Sequence, residues 1–362
     1  MLLGFGKILR VEEDIDPPGE FETEVLDCGG KALLPGFIDL HVHLIGGGGE
    51  GGPATRVPEL RVEEIAEAGT TTVAGTLGTD DLTRSPETLL AKVKALRRHI
   101  SAFMYTGSYH LPSVNLTGSV KRDLALVDEV IGVKVAIAER RASRSTPSGL
   151  KELASQAHLG GMLGDKPGLV HLHIGSKGAG LDPLFETMEA TGIPPRAFLP
   201  THMGRSEDLL QQGLRLIDMG GRIDITAPES REFDRLARRI NFLQERDPDW
   251  GRISLSSDGN GSFPRFDEEG KLTGIGRGKV SRLYRAILSL AEKDVLSFPR
   301  ALALITTNPA QALELEESKG AISPGFQADL VLLDEEKEIE EVYAKGERVV
   351  EKGKWNGESF DW

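Results

Sequence analysis

Cysteine is almost absent from this chain: Cys28 is the one thiol in 362 residues. No internal disulfide can form, and nothing points to an oxidising compartment. No apolar run approaches the length of a membrane span, and the opening MLLGFGKILRVEED is too short and wrongly flanked for a secretory signal. Positive charge is also short, with 43 Lys and Arg against 56 Asp and Glu, a net charge of -13 and a pI near 5.2. Such a surface repels polyanions, which argues against nucleic acid or an anionic membrane as partner. A soluble cytoplasmic protein is expected, so the sequon Asn115-Leu116-Thr117 has no secreted context to give it meaning. Solenoid repeats and low-complexity tails are missing as well.

What is present is alternation. From Gly36 onward, apolar strands alternate with amphipathic helical windows, the pattern of repeated βα units around a parallel sheet. Eight strands are expected: Phe37–His43, Thr70–Leu77, Ile100–Tyr109, Val133–Glu139, Gly168–Gly175, Ala197–Gly204, Arg222–Ala227 and Ile253–Asp258. Helices such as Glu59–Ala68, Glu87–His99, Ser206–Met219 and Arg231–Leu243 lie between them, with apolar residues three and four apart. Two further helices, Val280–Asp294 and Pro299–Leu315, follow. Eight units of this kind predict an α/β fold, a TIM-type (β/α)8 barrel spanning 35–319, with a doubly wound open sheet as the structural alternative. Strand-like runs at Leu3–Val11, Glu24–Leu34 and Ile322–Lys354 predict that residues 1–34 and 320–362 join into one small β domain.

The densest chemistry lies in LPGFIDLHVHLIGGGG. His41 and His43 stand two apart on a strand, so both imidazoles face one side and can grip one ion. Two core histidines would be the plainer reading, but Asp39 and the glycine run favour metal. That glycine run, Gly46–Gly49, is not followed by Gly-Lys-Ser/Thr and so makes no phosphate loop. Polar residues recur at the other strand ends: Tyr109, His171 and His173 in HLHIG, His202 in THMGR, Asp258 in SSDGNGS. That is the rim where TIM-barrel active sites are built. His173 is the better ligand candidate of its pair, with His171 either behind it or filling the interior. Lys134 sits among apolar neighbours in IGVKVAIA; a buried amine is neutral more readily and can react with carbon dioxide to give a carbamate. Nitrogen and oxygen donors without a thiolate suit zinc. His99, His110 and His158 are read as surface or packing residues.

These residues resemble the amidohydrolase superfamily of the binuclear type. The stretches FIDLHVHLIGGGGEGGPATR, GTLGTD, TGSYHLPS, THMGR and LSSDGNGS look like the β-aspartyl (isoaspartyl) dipeptidases. The resemblance implies a hydrolase with two Zn2+ per chain that cleaves dipeptides joined through an aspartate side-chain carboxyl, assembled as a homo-oligomer, an octamer. It implies His41, His43 and Asp258 on one zinc, His173 and His202 on the other, and carbamylated Lys134 bridging both. A metal-bridging hydroxide would attack, with Asp258 moving the proton and Tyr109 polarising the carbonyl. Glu50 would hold the substrate ammonium, and Thr79, Arg141, Arg205 and Ser262 would surround its carboxylates. Against the family pattern, the segment after Lys134 reads AIAERR with Arg140 beside Arg141, Gly204 stands where a polar residue is usual, and the family's first strands have no counterpart before Leu3. The alternatives are another binuclear amidohydrolase (a dihydroorotase, hydantoinase or N-acyl-amino-acid deacylase) or a non-catalytic relative.

Overall fold

The computed structural model describes the chain except residues 17, 18, 20–22, 140–146, 176, 177, 268, 270, 271 and 358–362, and the side chains of Pro264, Phe266 and Leu272. The chain opens with a hairpin, β1 (Leu2–Gly4) and β2 (Lys7–Arg10), then β3 (Leu33–Pro35) and β4 (Phe37–Val42). Next come α1 (Val62–Ala66), β5 (Thr70–Gly75), α2 (Pro86–Leu96), β6 (Ser101–Gly107), α3 (Val120–Leu126), β7 (Val130–Ile137), α4 (Pro147–Gly164) and β8 (Leu169–Ile174). They are followed by α5 (Asp182–Thr191), β9 (Phe198–Thr201), α6 (Glu207–Asp218), β10 (Ile223–Thr226), α7 (Phe233–Gln244) and β11 (Ile253–Ser256). The eight expected strands are therefore β4 to β11, with most ends trimmed by a few residues and β7 beginning three residues earlier, at Val130 instead of Val133.

β4 to β9 hydrogen-bond side by side in sequence order as one six-stranded parallel sheet, and β10 pairs with β11 in parallel. Val42 bridges Gly259 in parallel, which brings the segment after β11 against the first strand. Every residue of β4, β5, β7 and β8 is buried. Both faces of these strands are covered, so the apolar runs are continuous instead of alternating. The helices supply the outer cover. α2 begins at Ser85, whose hydroxyl accepts from the Thr88 amide, with Pro86 in the first turn. α6 is capped the same way by Ser206 and buries Leu209, Leu210, Leu214 and Ile217 on one face.

After β11 the chain makes an antiparallel hairpin that the sequence reading passed over, β12 (Ser262–Phe266) with β13 (Leu272–Arg277). Then come α8 (Arg282–Glu292), α9 (Phe298–Ala303) and α10 (Thr307–Ala312), so the single helix expected over Pro299–Leu315 is two. Pro309 has no N–H to donate to the Ile305 carbonyl, and that carbonyl accepts from Ile38 of β4 instead. The last strands are β14 (Leu330–Leu333), β15 (Ile339–Ala344), β16 (Glu347–Glu351) and β17 (Lys354–Trp355), and β3 pairs with β14 to complete their five-stranded sheet. Lys7 bridges Gln327, tying the first hairpin to the same region. Two of the early strand expectations need correction. Leu3–Val11 is broken by a turn at Phe5-Gly6, both at positive φ, and of Glu24–Leu34 only the end pairs, because Cys28 to Lys31 closes a turn.

The loop after β4 is built for close approach. Gly46 and Gly48 lie at φ 82 and 95, and a Cβ there would meet the Val57 and Thr55 carbonyls at 2.1 and 2.4 Å. Arg84, 2% exposed, secures this loop: its guanidinium donates to the Ile45, Gly47 and Val57 carbonyls at 3.0, 2.8 and 3.1 Å and pairs with Asp80 at 2.8 Å. Arg84→Met would remove the cation paired with Asp80 and one donor from each of the three carbonyls, although the Leu82 and Thr83 amides still reach Asp80 and the Val57 amide still reaches Gly47. The expected loss is roughly 3–5 kcal/mol of unfolding free energy, read from the urea midpoint.

Candidate metal centre

Three ligand atoms converge at the end of β4. His41 and His43 Nε2 lie 3.3 Å apart, and Asp258 Oδ1 lies 3.6 Å from the first and 3.3 Å from the second. All three sit within 4.8 Å of one another. Asp258 follows β11 at φ 49, a left-handed turn that L-residues adopt rarely and that here swings the carboxylate towards the histidines. Burial pushes its carboxyl up, but His43, Arg282 and Lys134 outweigh this and hold it below its ordinary value. Lys134, on β7, is fully buried with Nζ 3.3 Å from His41 Nε2, and desolvation brings its pKa down to about 7. Burial, then the lysine charge, keeps His41 far below the usual imidazole range. A neutral imidazole offers a lone pair, which a cation needs.

A second pair stands beside the first, with His41 and His202 ring centroids 5.3 Å apart. His173 Nδ1 and His202 Nε2 face each other at 2.8 Å. Their outer nitrogens have partners: His173 Nε2 lies 3.1 Å from Glu139 Oε2, and His202 Nδ1 lies 2.5 Å from Thr226 Oγ1. An N–H donated to each outer oxygen fixes the tautomers, and two lone pairs then point at one spot, the arrangement found around metal-bound histidines. The donor chemistry fits divalent cations at both positions. Tyr109 Oη lies 2.7 Å from His173 Nδ1. His171 does not join the cluster of inward lone pairs: its Nε2 lies 3.3 Å from His41 Nδ1, and its ring stacks on Tyr105 at 4.6 Å.

Other expected residues sit around this core. Ser262 Oγ donates to Glu50 Oε1 at 2.5 Å, joining the glycine loop to β12. Arg205 Nη1 lies 3.4 Å from His173 Nε2 and donates to the Ile174 carbonyl. Thr79 is half-buried; its carbonyl lies 2.9 Å from His110 Nε2, and among the described residues its hydroxyl makes no hydrogen bond to the cluster. Arg141 lies outside the described residues. A cavity of about 840 Å3 opens onto His202, Arg205 and Asp258.

Sequence reasoning missed several supports. Arg282 donates to the Ser257 and Asp258 carbonyls at 2.6 and 3.3 Å, bracing the turn that carries Asp258. Glu139 and Thr226, each just past or at a strand end, were available as signals; Arg84 and Arg282, on or near helix starts, carried none. The strands also bury two carboxyls. Asp39 Oδ1 accepts from the His41 and Ser257 amides, and desolvation raises its pKa to about 6. Asp224 is raised to about 7 by desolvation, although Ser256, Thr201 and Ser254 all donate to it.

The amidohydrolase family model matches residues 32–349. A crystal structure of beta-aspartyl dipeptidase from the keratin-degrading thermophile Fervidobacterium islandicum AW-1, in complex with beta-Asp-Leu dipeptide, is similar at TM-score 0.90 and 40% identity, covering 99% of this chain and 94% of that one. A D-hydantoinase structure at TM-score 0.67 and 18% identity, covering 99% of this chain and 93% of that one, shares the fold. By sequence, the imidazolonepropionase of Colwellia psychrerythraea (strain 34H / ATCC BAA-681) is 23% identical over 386 residues, 96% of this chain and 87% of that protein. The sequence and structure comparisons thus name different activities; the greater identity and near-complete cover lie with the dipeptidase.

The Asp224 environment yields a pH prediction. Its folded pKa of about 7 lies above the ordinary 3.8, so its contribution is full below 3.8 and lost as pH rises through 7. Asp224→Asn cannot ionise. The variant's stability relative to wild type should rise from about pH 4 to pH 7 and then level off, as read from urea midpoints across that range.

Proposed function

The chain belongs to the amidohydrolase family, and from that premise we propose that it is a zinc-dependent hydrolase of β-aspartyl dipeptides, releasing aspartate and an amino acid. His41, His43 and Asp258 would hold one ion and His173 and His202 the other, with Lys134, as its carbamate, bridging them. The neutral amine of Lys134 adds carbon dioxide and loses a proton to form that carbamate. When bound, the ions supply Lewis acidity and a water acidic enough to attack at neutral pH.

The chain's own groups do the rest. Asp258 accepts the proton of the attacking water and returns it to the departing amine. The Tyr109 hydroxyl, freed from His173 Nδ1 once that lone pair is engaged, donates to the oxygen of the scissile carbonyl as charge develops there. Glu50 holds the substrate ammonium, and Arg141, Arg205, Thr79 and Ser262 surround its carboxylates. Glu50 is the observation that carries this reading over other amidohydrolase activities: a substrate without a free amine has no need of a carboxylate there. Similarity to the beta-aspartyl dipeptidase at 40% identity supports the same choice.

Three further readings go with it. The strand order supports a (β/α)8 barrel over 35–319, and the β3–β14 pairing supports a small β domain built from 1–34 and 320–362. Exposed Leu126, Leu159, Met162 and Leu163 on α3 and α4 are apolar surface that suits a homo-oligomer, an octamer by family resemblance. The lone thiol suits the cytoplasm. Among the described residues, no helix is long and apolar enough to cross a membrane.

The test is hydrolysis of β-Asp-Leu against α-Asp-Leu, dihydroorotate and N-acyl amino acids, before and after chelation. β-Asp-Leu should be cleaved preferentially, activity should vanish with chelator, and zinc should restore it; preference for a cyclic or acylated substrate overturns the reading. Tyr109→Phe should lower kcat by about 10²–10³-fold with little change in KM. Wild-type turnover would remove that hydroxyl from the mechanism.

A further inference from the structure

The overall charge of -13 works against an anionic substrate. The cavity that opens onto His202 and Asp258 reverses that sign, with seven arginines and three acidic residues in its lining. Most of the arginines are already engaged. Arg205 lies against His173, and Arg282 braces Ser257 and Asp258 and pairs with Glu229 at 3.3 Å. Arg235 pairs with Glu232 at 3.5 Å, Arg239 with Glu207 at 2.6 Å and Arg277 with Glu64 at 3.0 Å. Arg231, in the turn before α7, and Arg265, on β12, have no carboxylate partner among the described residues.

A β-aspartyl dipeptide with a neutral second side chain brings two carboxylates, which the functional reading above assigns to Arg141 and Arg205. Two more guanidinium groups, on exposed residues lining the same cavity, are in surplus. An isolated surface arginine would mean nothing, since water solvates it cheaply. Here both line the same cavity, from two separate segments, and the wall's own acids are taken up by Arg235 and Arg282. Planar guanidinium forks match a carboxylate better than any other common side-chain group. Phe263, the large aromatic in the same wall, has the Arg282 guanidinium 4.9 Å above its ring, so it presents a cation as well as an apolar face.

We propose that this wall selects an acidic residue after the isoaspartate, with Arg231 and Arg265 receiving the side-chain carboxylate of aspartate or glutamate. The proposal rests on the dipeptidase reading above and narrows its substrate class.

The test compares β-Asp-Glu with its neutral isostere β-Asp-Gln on the zinc-loaded protein, with β-Asp-Leu as reference. At low ionic strength kcat/KM for β-Asp-Glu should exceed that for β-Asp-Gln by about five- to tenfold, and the ratio should fall towards one in about 0.5 M salt. In the double variant Arg231→Gln/Arg265→Gln, β-Asp-Glu should drop to the level of β-Asp-Gln. A low-salt ratio of one or less, or a preference that survives the double substitution, overturns the proposal. If β-Asp-Leu is cleaved without any preference for glutamate, only the specificity assignment falls. If no β-aspartyl dipeptide is cleaved at all, the functional reading falls and takes this one with it.

Discussion

Everything at the strand ends depends on one constraint: ionisable groups are packed where little water reaches them. His41, His171, Lys134 and Asp224 are wholly buried, and His43, His173 and His202 nearly so. Desolvation disfavours charge here, so the imidazoles of His41, His171 and His202 and the Lys134 amine are pushed towards neutrality and Asp224 towards its protonated form. Buried neutral nitrogens with converging lone pairs are costly for the fold to assemble unless something positive completes them. The cluster therefore reads as a receptor for cations instead of a hydrogen-bonded core.

Holding that cluster in place takes backbone as well as side chains. His202 and Asp258 both leave their strands at positive φ, and Asn260 follows at φ 57. These reversals turn side chains inward just past a strand end, and such strained turns need bracing. Arg282 braces the Asp258 turn from one side, and the Asn260 amide group does so from the other by donating to the His43 and Pro58 carbonyls. Arg84 does the same for the glycine loop that ends at Glu50. The Asp258 turn and the glycine loop are thus both held by buried polar groups.

What the sequence made legible was whatever periodicity carries. The two-residue spacing of His41 and His43, the order of eight strands and the grouping of polar residues at their C-terminal ends could all be read directly, because strand geometry alone determines which side chains share a face. What stayed hidden depended on contacts between distant segments. Arg84 looks like an ordinary charge before a helix; only the folded loop shows three carbonyls around it. The β12–β13 hairpin was passed over although its turn is rich in charge and glycine. The split of the Pro299–Leu315 helix follows from Pro309, but the use of the freed Ile305 carbonyl by β4 has no local signature. Nor does any local signature show that Glu139 stands behind His173 while the His171 ring stacks on Tyr105.

The pairing of β3 with β14 has a consequence for biosynthesis. Leu33 emerges from the ribosome early, yet its partner Leu332 is made only near the end of translation. Until then β3 presents an open edge, directly before β4, the strand that carries His41. Nascent chains of this protein therefore cannot close the five-stranded sheet until its last strands have been synthesised and released.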